Sequence, residues 1–379
     1  MTRSSRFGVA ICVLALWLDG ICGAAATAND AARSRTVDQT LDNVIAWKLT
    51  PSIAMAVVQG DKIAYTATRG MADLERRQTA TAETRYAIGS LGSLFIMVGI
   101  MQLSAQGRVR LNDSVRRYLP EESPMDVTLR EMLASRDDGA YTALGGVIER
   151  ITGEPLLTYL TDHVFRPAGM TQTWLGEPPS WLPLATRYYE WRNDFGVADA
   201  ESDAWSQKCC SAVSTATDLA RFDIALFNST LLSQGSLRAI EPFFQAMQKA
   251  GILMIGRQGS AAGFDAQNIL LPQQRFAIVI LANCAGFAAP AVLDRALGLY
   301  YPTLANASGN VDPNPAITSR LQNYLTRQSP APAGTMSFLS SSESAGSTEY
   351  RYLVDVGGAM KSAFFVLDSK GNVNGFWLH

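Results

Sequence analysis

Tyr86-Ala87-Ile88-Gly89-Ser90-Leu91-Gly92-Ser93-Leu94-Phe95 places two serines three residues apart, where a short apolar run passes into a long one. Ile88-Gly89 leads into a helix predicted to begin near Ser90 and to run towards Gln106, with Gly107 ending it. Residues three apart share a helix face, and the positive end of a helix favours an anion forming beside it. Serine is also a common helix cap, so the pair alone does not establish chemistry.

The flanking pattern decides the fold class. Upstream, Val37 to Trp47 reads as a helix. Ser52 to Gln59 is apolar and β-prone, Gly60-Asp61 is a turn, and Lys62 to Thr68 returns as the second arm of a hairpin. Downstream, Leu144, Val147, Ile148 and Ile151 fall at helical spacing within Tyr141 to Ile151. Gly153-Glu154-Pro155 breaks that helix, and another follows to about Phe165. Leu175 to Gln207 has no period and reads as a long loop over the core. Thr215 to Phe227 is predicted helical, capped by Ser214 or Thr215. Gly251 to Arg257, Asp265 to Leu271 and Arg275 to Ala282 read as successive antiparallel strands, and Ala288 to Leu299 as a closing helix. The expected architecture is α/β: an antiparallel sheet joining both ends of the chain, flanked by helices, with a helical region between.

Residues 311–379 differ in character. Asp312-Pro313-Asn314-Pro315 and Ser329-Pro330-Ala331-Pro332 resemble linkers, with a helix predicted over Ala316 to Arg327 between them. Tyr350, Tyr352, Val354 and Val356 share one strand face, with Arg351 and Asp355 on the other. Ala363 to Leu367 and Val373 to Leu378 complete a small β-meander, too small to stand alone and expected to dock on the main domain. The expected division is a signal peptide over 1–28, the main domain over 29–310, and a linker helix with the β module over 311–379.

The signal is read from Arg3 and Arg6, the apolar run Phe7 to Leu18, and Ala26-Thr27-Ala28 before Asn29. The run is too short to span a bilayer and meets Asp19, and no later stretch is apolar enough to do so. The expected location is therefore outside the cytoplasm, periplasmic or secreted, with no membrane span in the mature chain. The context Asp19-Gly20-Ile21 is poor for lipidation at Cys22. Cys209, Cys210 and Cys284 remain after cleavage, allowing one disulfide with a thiol left over or three reduced thiols. A net charge of −2 gives no electrostatic reason to expect nucleic acid.

The available chemistry is narrow. His163 and His379 are the only histidines, one within a helix and one C-terminal, so a Ser-His-Asp triad has poor material. No H-E-x-x-H, ligand-spaced cluster, G-x-G-x-x-G or Walker sequence occurs, so no metal or cofactor is expected. Serine chemistry with a base other than histidine is what remains.

The segment around Ser90 resembles the nucleophile region of the serine β-lactamase-like superfamily, nearest the branch of class C β-lactamases, D-Ala-D-Ala carboxypeptidases and related esterases. Further blocks agree in order: Gly70-Met71-Ala72-Asp73-Leu74, Leu111-Asn112-Asp113, Tyr118-Leu119-Pro120, Leu144-Gly145-Gly146-Val147-Ile148-Glu149, Phe165-Arg166-Pro167-Ala168-Gly169-Met170, Ser214 to Phe222, Gly263-Phe264 and Leu281-Ala282-Asn283. The resemblance covers about residues 36–300 and implies a β-lactamase/transpeptidase-like fold.

It also implies three motifs, and each is altered here. In S-x-x-K, Ser90 is the nucleophile position, and Ser93 replaces the lysine that helps remove the serine proton. A hydroxyl has no useful basicity near neutral pH. In Y-x-N, counting back from Tyr141 gives Arg136-Asp137-Asp138, so Arg136 replaces the tyrosine and Asp138 the asparagine. Tyr141 is either a substitute phenol or a structural residue. The K-T-G or H-x-G strand motif is Arg257-Gln258-Gly259, in which Arg257 either binds a substrate carboxylate or faces water from an edge strand. Of six lysines, none lies between Lys62 and Lys208, and Lys208 is the only immigrant base to consider.

The expectation is an exported, β-lactamase-related protein with impaired catalysis that binds a small molecule or peptide, such as a cell-wall peptide or an ester. The alternatives are an active serine esterase or peptidase using Ser90, and a non-catalytic envelope protein that binds through its C-terminal module. Oligomeric state is not legible.

Overall fold

The computed structural model describes residues 29–120, 126–135, 137–176, 189–191, 195–197, 212–261, 263–284, 289–304, 314–328, 333–344, 347–357 and 359–378. The predicted signal, Arg136, Lys208, Cys209, Cys210, both linker cores, His379 and most of the expected loop up to Gln207 lie outside them.

In chain order, helix α1 (29–46) precedes strands β1 (Ser52–Gln59), β2 (Lys62–Asp73), β3 (Gln78–Thr79) and β4 (Tyr86–Ala87). A 3-10 turn, Gly89–Gly92, opens onto α2 (Ser93–Ala105), followed by α3 (Leu129–Ala134) and α4 (Asp138–Thr152). Next come α5 (Leu156–Leu160), a π-turn at Thr161–Phe165, and α6 (Arg166–Ala168). Strands β5 (Trp174–Leu175), β6 (Tyr189–Trp191), β7 (Phe195–Val197) and β8 (Ala212–Ser214) are short. Helices α7 (Ala216–Phe227) and α8 (Gln234–Ile240) lead through a 3-10 turn, Glu241–Phe243, to β9 (Gln245–Lys249), β10 (Ile252–Ala261), β11 (Phe264–Leu271) and β12 (Phe276–Ala282). Helix α9 (Ala289–Tyr300) closes the main body. Then come α10 (Pro315–Gln328), β13 (Ala333–Ser344), β14 (Ser347–Val356), β15 (Ala359–Leu367) and β16 (Val373–Leu378).

The main sheet runs β3-β2-β1-β12-β11-β10-β9, and its pairs are antiparallel. The chain's two halves meet at β1 and β12, where Ile53 pairs with Ala282 and Gln59 with Phe276. Successive strand residues point to opposite faces, and both faces here are apolar. Ala54, Ala56, Val58, Ala277, Val279 and Leu281 join the core of the helical region. Ile53, Met55, Val57, Ile278 and Ile280 join the core under α1 and α9 with Leu41, Leu293 and Leu297. Near-continuous apolar strands mark a sheet buried on both sides. Asn283 closes the seam: its Oδ1 accepts from the Ser52 amide at 2.8 Å, and its Nδ2 donates to the Met71 carbonyl at 3.2 Å.

Several expectations are refined. The helix expected from Ser90 starts as a 3-10 turn, and the α-helix proper begins at Ser93. Gly107, at φ +72°, follows α2 in the left-handed conformation that ends helices. Thr215, rather than Ser214, caps α7 by accepting from the Asp218 amide at 3.1 Å. The expected loop carries β6 and β7, and the Tyr189 hydroxyl bonds Glu75 at 2.8 Å. The sequence reading missed β9, which is too polar to register as a strand. It also missed β13, whose serine-rich sequence hides its pairing with β14.

The C-terminal sheet, β13-β14-β15-β16, uses both faces. One packs Tyr352, Val354 and Phe365 against Leu321 and Leu325 of α10. The other puts Phe364, fully buried, into the core beneath α9. That contact explains why Arg351, on the supposedly polar face, is buried. Its Nε donates to Glu349 at 2.5 Å, and its guanidinium lies 5.1 Å from the Phe364 ring centre.

Candidate active site

Ser90 sits in the turn before α2, held against the C-terminal part of β10. A Cβ built on Gly259 would come 2.0 Å from the Ile88 carbonyl oxygen and 3.0 Å from the Ser90 amide nitrogen. Only glycine permits so close an approach of strand to turn. Gly89, at φ +48°, packs beneath the Phe264 ring.

Two of the expected residues bond Ser90 directly. Ser93 is fully buried, and its hydroxyl donates to the Ser90 carbonyl at 2.6 Å. It serves the backbone of the turn. The Ser90 hydroxyl donates to Asp138 Oδ2 at 3.1 Å. Asp138 lies in the first turn of α4, whose cap is Asp137, accepting from the Gly139 amide.

Tyr141 is fully buried one turn along α4. Its hydroxyl donates to the Leu133 carbonyl at 2.8 Å and accepts from Arg257 Nη1 at 3.2 Å. The two alternatives for Arg257 separate on burial: it is 8% exposed, with its guanidinium 4.7 Å from the Tyr141 ring centre. It does not face water from an edge: it lies against Tyr141 and lines the cavity beside Ser90. Among the described residues no carboxylate forms an ion pair with it.

A cavity of about 240 Å³ opens here, lined by Ser90, Ala134, Arg257, Gln258 and the apolar wall Pro242, Phe243 and Phe244. That wall was missed from sequence. The only signal was Glu241-Pro242-Phe243-Phe244, two adjacent aromatics after a proline, and nothing local ties them to Ser90. No lysine is among the lining residues. Beside the third motif, Asp265 pairs in register with Ser260, and burial pushes its carboxyl up to about 7. Cys284, also buried, has its thiol pushed up to about 12, chiefly by desolvation. Such a thiol is inert packing rather than a nucleophile. His163 packs its ring 4.4 Å from that of Tyr159, as a packing residue would. Among the described residues no His, Cys, Asp and Glu group could hold a metal ion. Nor is any helix there long and apolar enough to cross a membrane.

Comparison with known proteins bears on this arrangement. The beta-lactamase family model matches residues 37–136 and 137–301. The chain belongs to the beta-lactamase family. PbpX of Bacillus subtilis (strain 168) is 23% identical over 218 residues, covering 48% of this chain and 56% of that one. The beta-lactamase-family chain described here thus spans a little over half the length of that relative. An octameric penicillin-binding protein homologue from Pyrococcus abyssi superposes with a TM-score of 0.63 at 14% identity, covering 88% of this chain and 96% of its own. A D-amino acid amidase from Ochrobactrum anthropi SV3, complexed with L-phenylalanine amide, superposes with a TM-score of 0.62 at 18% identity, over 72% of this chain and 99% of its own. At those identities the likeness establishes the fold: an antiparallel sheet flanked by helices, with a small antiparallel C-terminal sheet.

Proposed function

We propose that this is an exported beta-lactamase-family protein that binds a small carboxylate-bearing ligand with an apolar side group, a cell-wall peptide fragment or an ester. We further propose that it has lost turnover of β-lactams and peptides. The observation that carries the second part is the Ser93 hydroxyl spent on the Ser90 carbonyl at 2.6 Å, at the position of the lysine base. Expelling an amine requires a general acid to protonate it as it leaves. Tyr141, one turn along α4 from Asp138, has its proton engaged on the Leu133 carbonyl. The ligand class follows from the cavity. Arg257 offers a planar cation that suits a carboxylate, and Phe243 and Phe244 offer an apolar wall. Export rests on the N-terminal 28 residues and is tested by N-terminal sequencing of the mature protein, expected to begin at Asn29.

The test of function pairs turnover with binding. Nitrocefin and a D-alanyl-D-alanine peptide should be hydrolysed at the rate of the Ser90→Ala variant. N-acetyl-D-phenylalanine should raise the melting temperature of the wild type but not of Arg257→Ala. Ser90-dependent hydrolysis of either substrate would overturn the loss of turnover. An equal response of both proteins to the ligand would overturn the binding site.

A further inference from the structure

We infer that Asp138 is the proton acceptor for Ser90, and that the pair can be acylated by esters whose leaving group departs as an anion. The inference uses the cavity described above but does not depend on the carboxylate ligand proposed for it.

The geometry is that of a nucleophile and its base. Ser90 Oγ and Asp138 Oδ2 are 3.1 Å apart, within the range from which a positioned base removes a proton. An ionised carboxylate only accepts, so the hydroxyl is the donor. Ser90 is on the cavity wall, so an acyl carbon can reach its oxygen. The Gly259 backbone closes against the Ser90 amide, so turn and strand hold the hydroxyl in place. The other neighbours cannot take the proton. Ser93 has no basicity, and a guanidinium stays protonated, which excludes Arg257.

A carboxylate is a weaker base than the neutral lysine it would replace, and this sets the substrate class. As Ser90 Oγ bonds to the acyl carbon, its proton passes to Asp138 Oδ2. The bond from that carbon to the leaving oxygen or sulfur breaks with its electron pair. An aryl oxide or thiolate leaves unprotonated, so the step needs no general acid. An amine cannot leave this way, which is why loss of peptide turnover and retention of ester acylation coexist. Asp138 then releases its proton to solvent. In deacylation a water oxygen attacks the acyl carbon, its proton passes to Asp138, and that proton is returned to Ser90 Oγ as the carboxylic acid leaves. The acyl groups that fit are those able to lie along Phe243 and Phe244.

The test uses the full mature chain and p-nitrophenyl esters of acetic and phenylacetic acid, read by p-nitrophenolate release and by the mass of the intact protein. One acyl group per chain is expected, mapped to Ser90 and absent in Ser90→Ala. Asp138→Asn, which keeps an oxygen acceptor without basicity, should acylate about 10² to 10⁴ times more slowly. The double variant Ser90→Cys, Asp138→Asn should still be labelled, because a thiol needs less help, and that labelling shows the pocket intact. A Ser90 adduct forming equally fast in Asp138→Asn, or neither a Ser90 adduct nor Ser90-dependent p-nitrophenolate release in the wild type, overturns the inference. The readouts keep the two proposals apart: the melting-temperature shift with N-acetyl-D-phenylalanine reports the carboxylate site, whereas p-nitrophenyl acetate carries no carboxylate and its acyl transfer is read at Ser90 whether or not that shift is seen.

Discussion

Asn268 on β11 donates from Nδ2 to Asp223 Oδ1 on α7 at 2.8 Å, and both side chains are wholly removed from solvent. Among the described residues, neither Asp223 Oδ2 nor Asn268 Oδ1 meets a hydrogen-bond donor. A proton on Asp223 relieves that shortage, and burial raises its pKa well above the ordinary carboxylate value. The pair ties the helical region to the sheet through a carboxyl group whose burial favours the protonated form.

The first prediction is a pH dependence. An acid whose native pKa is raised holds a proton that the unfolded chain has released, so stability falls as pH rises from the unfolded value to the native one. Asp265 adds to the fall between 3.8 and about 7. Asp223→Asn should unfold at higher urea concentration than the wild type at pH 7, with the gap closing as pH falls below about 4. A gap that does not close on acidification would show that Asp223 is not the titrating group.

Gly259→Ala should harm the site more than the fold. Its Cβ would lie 2.0 Å from the Ile88 carbonyl, so β10 and the Ser90 turn must part. The expected cost is about 1–3 kcal/mol, with Ser90 acylation by p-nitrophenyl acetate slowed at least tenfold. Acylation at the wild-type rate would mean that the strand does not position Ser90.

Ser93→Lys should not restore the family's activity. Ser93 is fully buried, so a longer side chain there overpacks the site at a cost of roughly 1–3 kcal/mol. The phenol of Tyr141 remains committed to Leu133. The melting temperature is expected to fall and nitrocefin hydrolysis to stay at background. Hydrolysis above background would mean that the lysine alone was missing.

Phe364→Ala tests whether the C-terminal sheet is structurally part of the main body. This ring is fully buried in the core beneath α9. Removing such a ring costs about 3–5 kcal/mol. If the sheet were only tethered, the main transition seen by calorimetry would not move.

Hydropathy and punctuation by themselves determined the hairpin, the buried central strands, the amphipathic α4 and the position of Ser90. They could do so because burial on one or both faces leaves a period in the chain that needs no knowledge of neighbours. The altered motifs were legible only through the resemblance to the serine β-lactamase-like superfamily, not from any period in the chain. What only the tertiary structure decided is which of those residues touch. Ser90 and Asp138 are forty-eight positions apart, Tyr141 and Arg257 one hundred and sixteen. No local pattern records such distances. Arg257 could face water or the cavity until the packing set it against Tyr141, and nothing tied Asp138 to the serine until α4 brought its carboxylate there. Contacts across long separations are set by how sheet and helices pack, and here that packing brings the Asp138 carboxylate within hydrogen-bond distance of the Ser90 hydroxyl.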